Sequence, residues 1–394
     1  MMDNSKRQEW KECKLGDLGN VITGKTPSRD NPEDFGEVMP FVTPTDYKNF
    51  TKYIYQANRF LSPTGIGRLQ NKVLPEKSIM ITCIGSDMGK VALNKQSVIT
   101  NQQINSIIPN PKVADSDYLF YLLTDMYETL RSYGLDGTAV PILNKSTFEG
   151  LLIALPPLPE QRAIAGVLSS LDDKIDLLHR ENKTLEGMAA AVWRKMFVEE
   201  ADPGWRKGKL GDIADINPLR SIRHGTVATY LDMSNMPTDG PFPKDWVQRE
   251  FSSGMKFKNG DTIIARITPC LENGKTAYVN FLVDEEIGWG STEYVVLSPK
   301  PGYCSEWFYF LGRNEGFRDY AIQNMTGTSG RQRVSGESLA EYEMPIPTEA
   351  FFEGFQEIAS PVMKHIRQNS FQIRTLSRLR DTLLPKLMSG EVRV

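Results

Sequence analysis

The side chains best suited to chemistry in this sequence are cations, amides and hydroxyls in short, glycine-rich segments. Lysines, hydroxyls and backbone amides bind phosphate groups, whereas arginine, asparagine and glutamine can bond base edges through two hydrogen bonds. We therefore predict that these segments contact DNA. The candidates are Lys25, Arg29, Ser86, Lys90, Asn101, Gln102 and Gln103 in the first half of the chain, and Arg220, Arg223, Arg266, Lys275, Arg331 and Arg333 in the second. For residues 101–103, a loop cap is the alternative interpretation.

Motifs that would support catalysis by this chain are missing. No HExxH metal site occurs, no GxGxxG follows a predicted strand, and we expect no GxxxxGK[ST] loop for nucleotide phosphates. The Asn-Pro-Pro-aromatic tetrapeptide of amino-methyltransferases is also absent, since Asn217-Pro218-Leu219 lacks the second proline. The chain has only three histidines, His179, His224 and His365, which leaves little capacity for general acid–base chemistry. We expect a noncatalytic chain without a cofactor or metal of its own.

The composition indicates a globular protein without an export or membrane segment. At about 150 residues per domain, 394 residues predict two or three domains. With 46 basic and 49 acidic residues, the net charge of −3 excludes attraction to DNA through overall charge but not through a local basic face. The four cysteines lie far apart, which predicts no disulfide framework, no structural zinc and a reducing cytoplasm. Neither an apolar signal core nor a run of about 18 apolar residues is present, so we expect no membrane contact.

The sequence also repeats itself, which bears on how these segments are positioned. Four short matches recur in the same order about 190 residues apart, and together they indicate two copies of one unit. The matches are Lys14-Leu15-Gly16-Asp17 with Lys209-Leu210-Gly211-Asp212, Phe120-Tyr121 with Phe308-Tyr309, Gly137-Thr138 with Gly327-Thr328, and Leu155-Pro156 with Met344-Pro345.

Each copy ends in a heptad pattern that predicts a long helix with a narrow apolar seam. The seam positions are Ile164, Leu168, Leu171, Ile175, Leu178, Asn182, Leu185, Ala189 and Val192 in the first copy, and Phe355, Ala359, Val362, Ile366, Asn369, Ile373, Leu376, Arg380 and Leu383 in the second. Pro159 suits the first turn of the first helix, and Thr348 is a candidate cap for the second. Pro361 predicts a kink or a later start at Ser360, and Pro385 predicts the end of the second helix.

One interior asparagine in each seam indicates that the helices pair with each other in a specified register. If they run antiparallel with Asn182 facing Asn369, the numbers of facing residues add to 551, the sum of 182 and 369. Leu168 then faces Leu383, Leu185 faces Ile366 and Ala189 faces Val362, and only Leu171 facing Arg380 is a poor match. Two alternatives remain: the helices are ordinary core helices, or each helix contacts another protein.

Between the helices, short β-rich runs alternate with turn-forming clusters over residues 12–155 and 205–347. We predict a mixed α+β protein with a pseudo-two-fold internal repeat: a globular domain over residues 1–157, a helix over 158–199, a second globular domain over 200–347, and a helix with a tail over 348–394. A helix of this length spans on the order of 55–60 Å. Two similar domains on such a rod suit a long, regular target that is read twice, and double-stranded DNA is one.

Several local sequences resemble the specificity subunit of type I restriction–modification systems. The matching stretches are residues 155–165, residues 171–176 and the tail at residues 383–392, with the two Lys-Leu-Gly-Asp openings in addition. The likeness covers essentially the whole chain. Residues 344–350 depart from the pattern because they lack the Glu-Gln pair found at Glu160-Gln161.

The resemblance implies two target recognition domains, each reading one half of a split DNA target, and two antiparallel helices that set the gap between the halves. It implies no active site in this chain. Two modification subunits would methylate adenine with S-adenosylmethionine, and restriction subunits would use ATP and Mg²⁺ to translocate and cut DNA. A standalone DNA methyltransferase and a two-headed protein-binding scaffold remain alternatives.

Overall fold

A computed structural model of the chain describes residues 10–47, 52–55, 57–85, 87–134, 142–328 and 330–394. Ser86 and the Gly137-Thr138 match lie outside the described residues. The chain forms two compact units. Unit 1 comprises the described residues up to Asp176 together with Leu376–Val394, and unit 2 comprises Leu177–Thr375.

The globular part of unit 1 is a mixed α+β lobe. Its strands are β1 (Lys11–Lys14), β2 (Gly19–Thr23), β3 (Phe35–Gly36), β4 (Met39–Val42), β5 (Tyr53–Ile54), β6 (Phe60–Leu61), β7 (Ile79–Thr82), β8 (Val91–Asn94), β9 (Ile99–Thr100), β10 (Ile104–Pro109) and β11 (Leu152–Leu155). Its helices are α1 (Pro63–Arg68), α2 (Ser116–Asp125), α3 (Tyr127–Gly134) and α4 (Lys145–Glu149), and the long helix α5 (Leu158–Arg194) follows, ending in a π-helical turn at Lys195–Glu199.

Unit 2 repeats this plan. Its strands are β12 (Arg206–Lys209), β13 (Ala214–Ile216), β14 (Val227–Leu231), β15 (Val247–Glu250), β16 (Met255–Phe257), β17 (Thr262–Ala265), β18 (Thr276–Tyr278), β19 (Gly288–Gly290), β20 (Tyr294–Pro299) and β21 (Glu343–Ile346). Its helices are α6 (Leu210–Ile213), α7 (Ser305–Arg313), α8 (Glu315–Gln323) and α9 (Gly336–Ala340), and the long helix α10 (Glu349–Met388) follows.

The two units share most of one sheet topology, as the internal repeat predicts. Unit 1 has β5 in addition, and the fourth strand of the smaller sheet, β3 or β16, lies at opposite edges in the two units. The larger sheet has the order β2-β10-β7-β8-β5 in unit 1 and β13-β20-β17-β18 in unit 2. A smaller sheet has the order β3-β6-β4-β9 in one and β15-β14-β19-β16 in the other, each with one parallel pair. A two-stranded ribbon, β1-β11 or β12-β21, joins the start of each copy to its end.

The Lys-Leu-Gly-Asp repeat has a structural reason in both units. The carboxylate of Asp17 accepts a hydrogen bond from the Lys14 backbone N–H at 3.0 Å, and Asp212 accepts the same bond from Lys209 at 3.0 Å. Such a bond satisfies an N–H group that the first helical turn would otherwise leave unpaired. The leucines that follow, Leu15 and Leu210, are fully buried. The repeat therefore builds the same turn at the start of each lobe.

The long helices pack on each other within both units, as the heptad seams predict. In unit 1, Leu168 and Leu383 belong to one apolar cluster. In unit 2, Leu185, Ala189, Val362 and Ile366 belong to another. Helix–helix packing of this kind buries the seam and leaves the opposite faces in water.

The two seam asparagines meet inside unit 2. The Asn369 side-chain amide donates to the Asn182 carbonyl oxygen at 2.9 Å, and the Asn182 amide donates to the Ser370 hydroxyl at 3.3 Å. Asn369 and Ser370 are buried, so these bonds offset the cost of placing amides in an apolar seam. Their role in setting the register stays a prediction.

The helix start at Ser360 and the helix end at Pro385 that the prolines of the second helix suggested were wrong, whereas the kink at Pro361 stays a prediction. Helix α10 begins directly after Thr348 and continues through Pro361 and Pro385 to Met388. A proline deprives the carbonyl group four residues earlier of its donor. Here those residues are Glu357 and Asp381, which are exposed, so water can bond their carbonyls and the helix is not interrupted.

No helix in the described part of the chain is both long and apolar enough to cross a bilayer.

Candidate nucleic-acid interface

In unit 1, three loops meet at the turn formed by residues 100–103, between β9 and β10. The Lys25 backbone N–H donates to the Thr100 carbonyl at 2.9 Å, and the Cys83 N–H donates to the Gln103 carbonyl at 2.7 Å. The Asn101 N–H donates to the carbonyl of Val42, the last residue of β4, at 3.1 Å. We call this turn, with residues 24–29, 42–46 and the described part of 83–90, hub 1. It brings together most of the candidate residues of the first half of the chain.

The loop at residues 24–29 lies tightly against this turn. A Cβ atom on Gly24 would sit 2.2 Å from the Asn101 carbonyl oxygen, so only glycine permits the approach. The Thr26 hydroxyl donates to the Gln102 side-chain oxygen at 2.6 Å. Lys25 and Gln102 are exposed on adjacent loops. An ammonium group can bind phosphate and a side-chain amide can bond a base edge. Arg29 is exposed in the same loop.

The neighbouring candidates are more constrained. Asn101 is 7% exposed; its side-chain oxygen accepts the Gln103 N–H at 3.1 Å, and its amide donates to the Gln103 side-chain oxygen at 2.9 Å. The loop-cap interpretation therefore accounts for Asn101, while Gln102 remains the exposed amide of hub 1. Lys90 forms an ion pair of 2.8 Å with Asp87, which offsets its charge.

Residues 19–26 also match the pattern GxxxxGK[ST] in their letters. A phosphate-binding loop needs a glycine-rich turn between a strand and a helix. Here Gly19–Thr23 is strand β2 and no helix follows Lys25 before Pro32, so the match does not form such a loop.

Unit 2 has an equivalent turn at residues 290–293, between β19 and β20. The Arg266 N–H donates to the Glu293 carbonyl at 2.9 Å, as the Cys83 N–H does to Gln103 in unit 1. The Glu293 N–H donates to the Ser291 hydroxyl at 3.1 Å, as the Gln103 N–H does to Asn101. We call residues 290–293, with residues 266–275 and the described part of 326–334, hub 2.

Three charged side chains dominate hub 2. Arg333 donates from Nε and Nη2 to the Glu293 carboxylate at 2.8–2.9 Å, and Arg266 Nε lies 3.8 Å from the same carboxylate. The bonds from Arg333 lower the pKa of Glu293. The two guanidinium groups thus share the carboxylate of Glu293. Sequence analysis missed Glu293, because the chain separates it from both arginines.

Two further candidates belong to hub 2. The Arg331 side chain is exposed and has no polar partner among the described residues, so it is available to a phosphate. Lys275 is the equivalent of Lys90 in unit 1. The Ala265 N–H donates to the Lys275 carbonyl, and the Thr82 N–H donates to the Lys90 carbonyl in the same way. The Lys275 ammonium donates to the Met233 carbonyl at 2.7 Å and supports the loop after β14.

Arg220 and Arg223 lie away from hub 2. Asn217 has a positive φ of 54° and precedes Pro218, so β13 ends early and the chain turns back. The Arg220 side chain is 9% exposed and bonds Asp261 and Ser298 at the far ends of β17 and β20, so this arginine supports the fold and we leave it out of the interface. Arg223 is exposed but precedes β14, whose other end faces hub 2.

Among the described residues, no group of three or more histidine, cysteine, aspartate or glutamate side chains is placed to hold a metal ion.

Comparison with known proteins relates this geometry to one family. The family described as type I restriction modification DNA specificity domain matches residues 7–187. The chain is 26% identical to the MjaIX specificity subunit of Methanocaldococcus jannaschii over 427 aligned positions, which cover 98% of this chain and 94% of that protein. It is 38% identical over 148 residues to the HindI specificity subunit of Haemophilus influenzae, covering 37% of this chain and 32% of the other. The type I S subunit from M. genitalium has the same fold, with a TM-score of 0.59, 17% identity, and coverage of 98% and 97%.

Proposed function

The chain belongs to the family of type I restriction–modification specificity subunits, the noncatalytic components of those enzymes, and we propose that hub 1 and hub 2 each read one half of a bipartite DNA target. The proposal keeps Lys25, Arg29 and Gln102 as contacts in unit 1. It keeps Arg266, Arg331 and Arg333 as contacts in unit 2.

The observation that carries this proposal is the equivalence of the two hubs. The same backbone bonds, Cys83 to Gln103 and Arg266 to Glu293, place the same loops together in both copies. Loops of this kind on a rigid sheet are the usual location of binding residues. Their exposed side chains include both phosphate-binding cations and groups that bond base edges.

The helix pair is suited to fix the gap between the two half-sites, because each lobe is bonded to it. In unit 1, the Tyr121 hydroxyl donates to Asp172 on α5 at 2.7 Å, and the Lys52 ammonium donates to the Ser169 hydroxyl at 2.7 Å. In unit 2, Arg374 on α10 pairs with Asp245 at 2.6 Å. We infer that each lobe keeps one position on its stretch of the helices, so that spacing becomes a property of the protein.

The catalytic partners follow from the same proposal. Two modification subunits would supply S-adenosylmethionine-dependent adenine methylation, and restriction subunits would supply the ATP- and Mg²⁺-dependent steps. Their docking surface would be the exposed faces of α5 and α10.

Mapping methylated adenines in host DNA tests the proposal. We expect a two-part motif with a fixed unspecified gap in the presence of this gene, and loss of that motif when the gene is deleted. A gel shift with the chain and its cognate modification subunit provides the matching test in solution. Binding without sequence preference in that assay, as expected of a protein scaffold, contradicts the proposal. Methyl transfer by the purified chain alone would instead identify a standalone methyltransferase.

A further inference from the structure

Equivalent backbone positions carry different side chains in the two hubs. The Leu143 N–H donates to the Cys83 carbonyl at 2.9 Å in unit 1, and the Val334 N–H donates to the Arg266 carbonyl at 3.0 Å in unit 2. An isolated antiparallel bridge joins Ile84 to Ile142 in unit 1, and the equivalent bridge joins Ile267 to Arg333 in unit 2. The triad Arg266, Glu293 and Arg333 therefore occupies the positions of Cys83, Gln103 and Ile142.

The guanidinium of Arg333 is bonded to Glu293 along one edge, and part of the group is accessible to solvent. Its Nε–H and one of the two Nη2 hydrogens donate to the Glu293 carboxylate. One of the two Nη1 hydrogens donates to the Arg331 carbonyl at 3.1 Å. A guanidinium carries five N–H donors, so one donor on Nη1 and one on Nη2 remain without an acceptor among the described residues. The side chain is 39% exposed, which leaves these donors accessible from solvent.

We propose that Arg333 is a specificity-determining residue of unit 2, which reads a guanine through its two remaining donors, and that Glu293 is the positioning residue that fixes its guanidinium. This inference rests on the proposed DNA-reading function. Guanine presents two acceptors, O6 and N7, in the major groove, and paired donors of arginine match them better than they match any other base. An arginine anchored by a carboxylate loses less rotamer freedom when it binds, which favours a specific contact over a diffuse one.

The same comparison predicts that the two half-sites differ. At the positions of Arg266 and Arg333, unit 1 has the thiol of Cys83 and the apolar Ile142, neither of which can donate a bidentate pair of bonds. Gln103 replaces the Glu293 carboxylate with a neutral amide. Hub 1 therefore lacks this means of reading guanine, and we expect the two half-sites to differ.

The test uses the complex of the full chain with its modification subunit and the methylation motif of the wild type. Competition binding is measured on a panel of duplexes, each with one base pair of one half-site replaced. For the wild type, we expect one guanine in the half-site of unit 2 whose replacement weakens binding about 10- to 100-fold. Arg333→Ala removes that penalty and leaves all penalties in the other half-site unchanged.

Two further variants separate reading from structural support. Glu293→Gln keeps the shape of the side chain but removes its charge. We expect it to reduce the penalty at the same guanine without weakening binding to DNA in general, because a negative charge is lost from the surface. Arg331→Ala, the matched neighbour, weakens binding to all duplexes alike and leaves the guanine penalty intact.

The outcomes distinguish the inference from the proposed function. If the wild type shows no sequence preference, the proposed function fails. If the wild type reads a bipartite target but Arg333→Ala keeps every penalty, or weakens all duplexes equally, Arg333 is not the base-reading residue and the inference is overturned. Unchanged penalties in the half-site of unit 1 show that the variant complex is folded.

Discussion

Arg380 on α10 donates from Nη1 to the carboxylate of Asp172 on α5 at 2.7 Å, where the heptad register places Arg380 opposite Leu171. The second carboxylate oxygen of Asp172 accepts the Tyr121 hydroxyl at 2.7 Å. The one mismatch in the predicted seam is thus an ion pair displaced by a single residue. It joins both helices to the lobe of unit 1.

Removing the arginine from this network should destabilise unit 1. Asp172 is only 9% exposed, so Arg380→Ala leaves its charge with Tyr121 as the remaining partner. We expect a loss of about 1–3 kcal/mol in the free energy of unfolding, measured by urea denaturation. Lys174→Ala, an exposed neighbour of Asp172 on α5, is the control and should change the free energy of unfolding by less than about 0.5 kcal/mol. Equal stability of the two variants would show that the network contributes nothing.

The asparagine pair should lower the stability of the helix pair while defining its register. Replacing both Asn182 and Asn369 with leucine fills the seam with apolar side chains, and we expect the urea midpoint to rise. The same change removes the only predicted polar constraint on register, so we expect methylation at targets whose gap differs by one base pair. Mapping methylated adenines in a host that carries the double variant measures this. An unchanged gap would assign the register to other contacts.

Phosphate-binding residues should reveal themselves through salt dependence. Lys25→Ala in hub 1 and Arg331→Ala in hub 2 each remove one exposed cation. We expect each to weaken binding and to reduce the slope of log affinity against log salt by about one. Arg223→Ala is the control, because Arg223 lies away from hub 2. An unaltered slope in the Lys25 variant would exclude that residue from the interface.

The pair of Arg333 and Glu293 predicts a pH effect on unit 2. Hydrogen bonds from Arg333 lower the pKa of Glu293 in the folded protein. A lowered pKa means that the carboxylate stabilises the fold above the unfolded value of about 4.3, and that this contribution is lost as the pH falls through the lower folded value. Glu293→Gln should therefore be less stable than the wild type at pH 7, with the difference shrinking below about pH 4. Thermal melts across this range provide the measurement, and a constant difference would contradict the assignment.

The sequence was sufficient for features whose signal is local or periodic. The heptad positions predicted the facing of Asn182 and Asn369, and the repeated Lys-Leu-Gly-Asp predicted two equivalent lobes. Features that depend on distant contacts could not be predicted. Arg220 was predicted to contact DNA, because its partner Asp261 lies 41 residues further along the chain and their pairing is not visible in the sequence. Glu293 was not predicted at all, because only the fold brings it beside Arg333. The helix start at Ser360 and the helix end at Pro385 were predicted wrongly, because a helix tolerates a proline where the carbonyl that loses its donor faces water.

The central claim, that two equivalent hubs read two different half-sites, is tested most directly by single-molecule mapping of methylated adenines in hosts carrying Gln102→Ala or Arg333→Ala. The account predicts that the Gln102 variant relaxes one base position in one half of the motif, that the Arg333 variant relaxes one position in the other half, and that the gap stays constant. Changes from both variants within the same half-site, or a motif that neither variant alters, would contradict it.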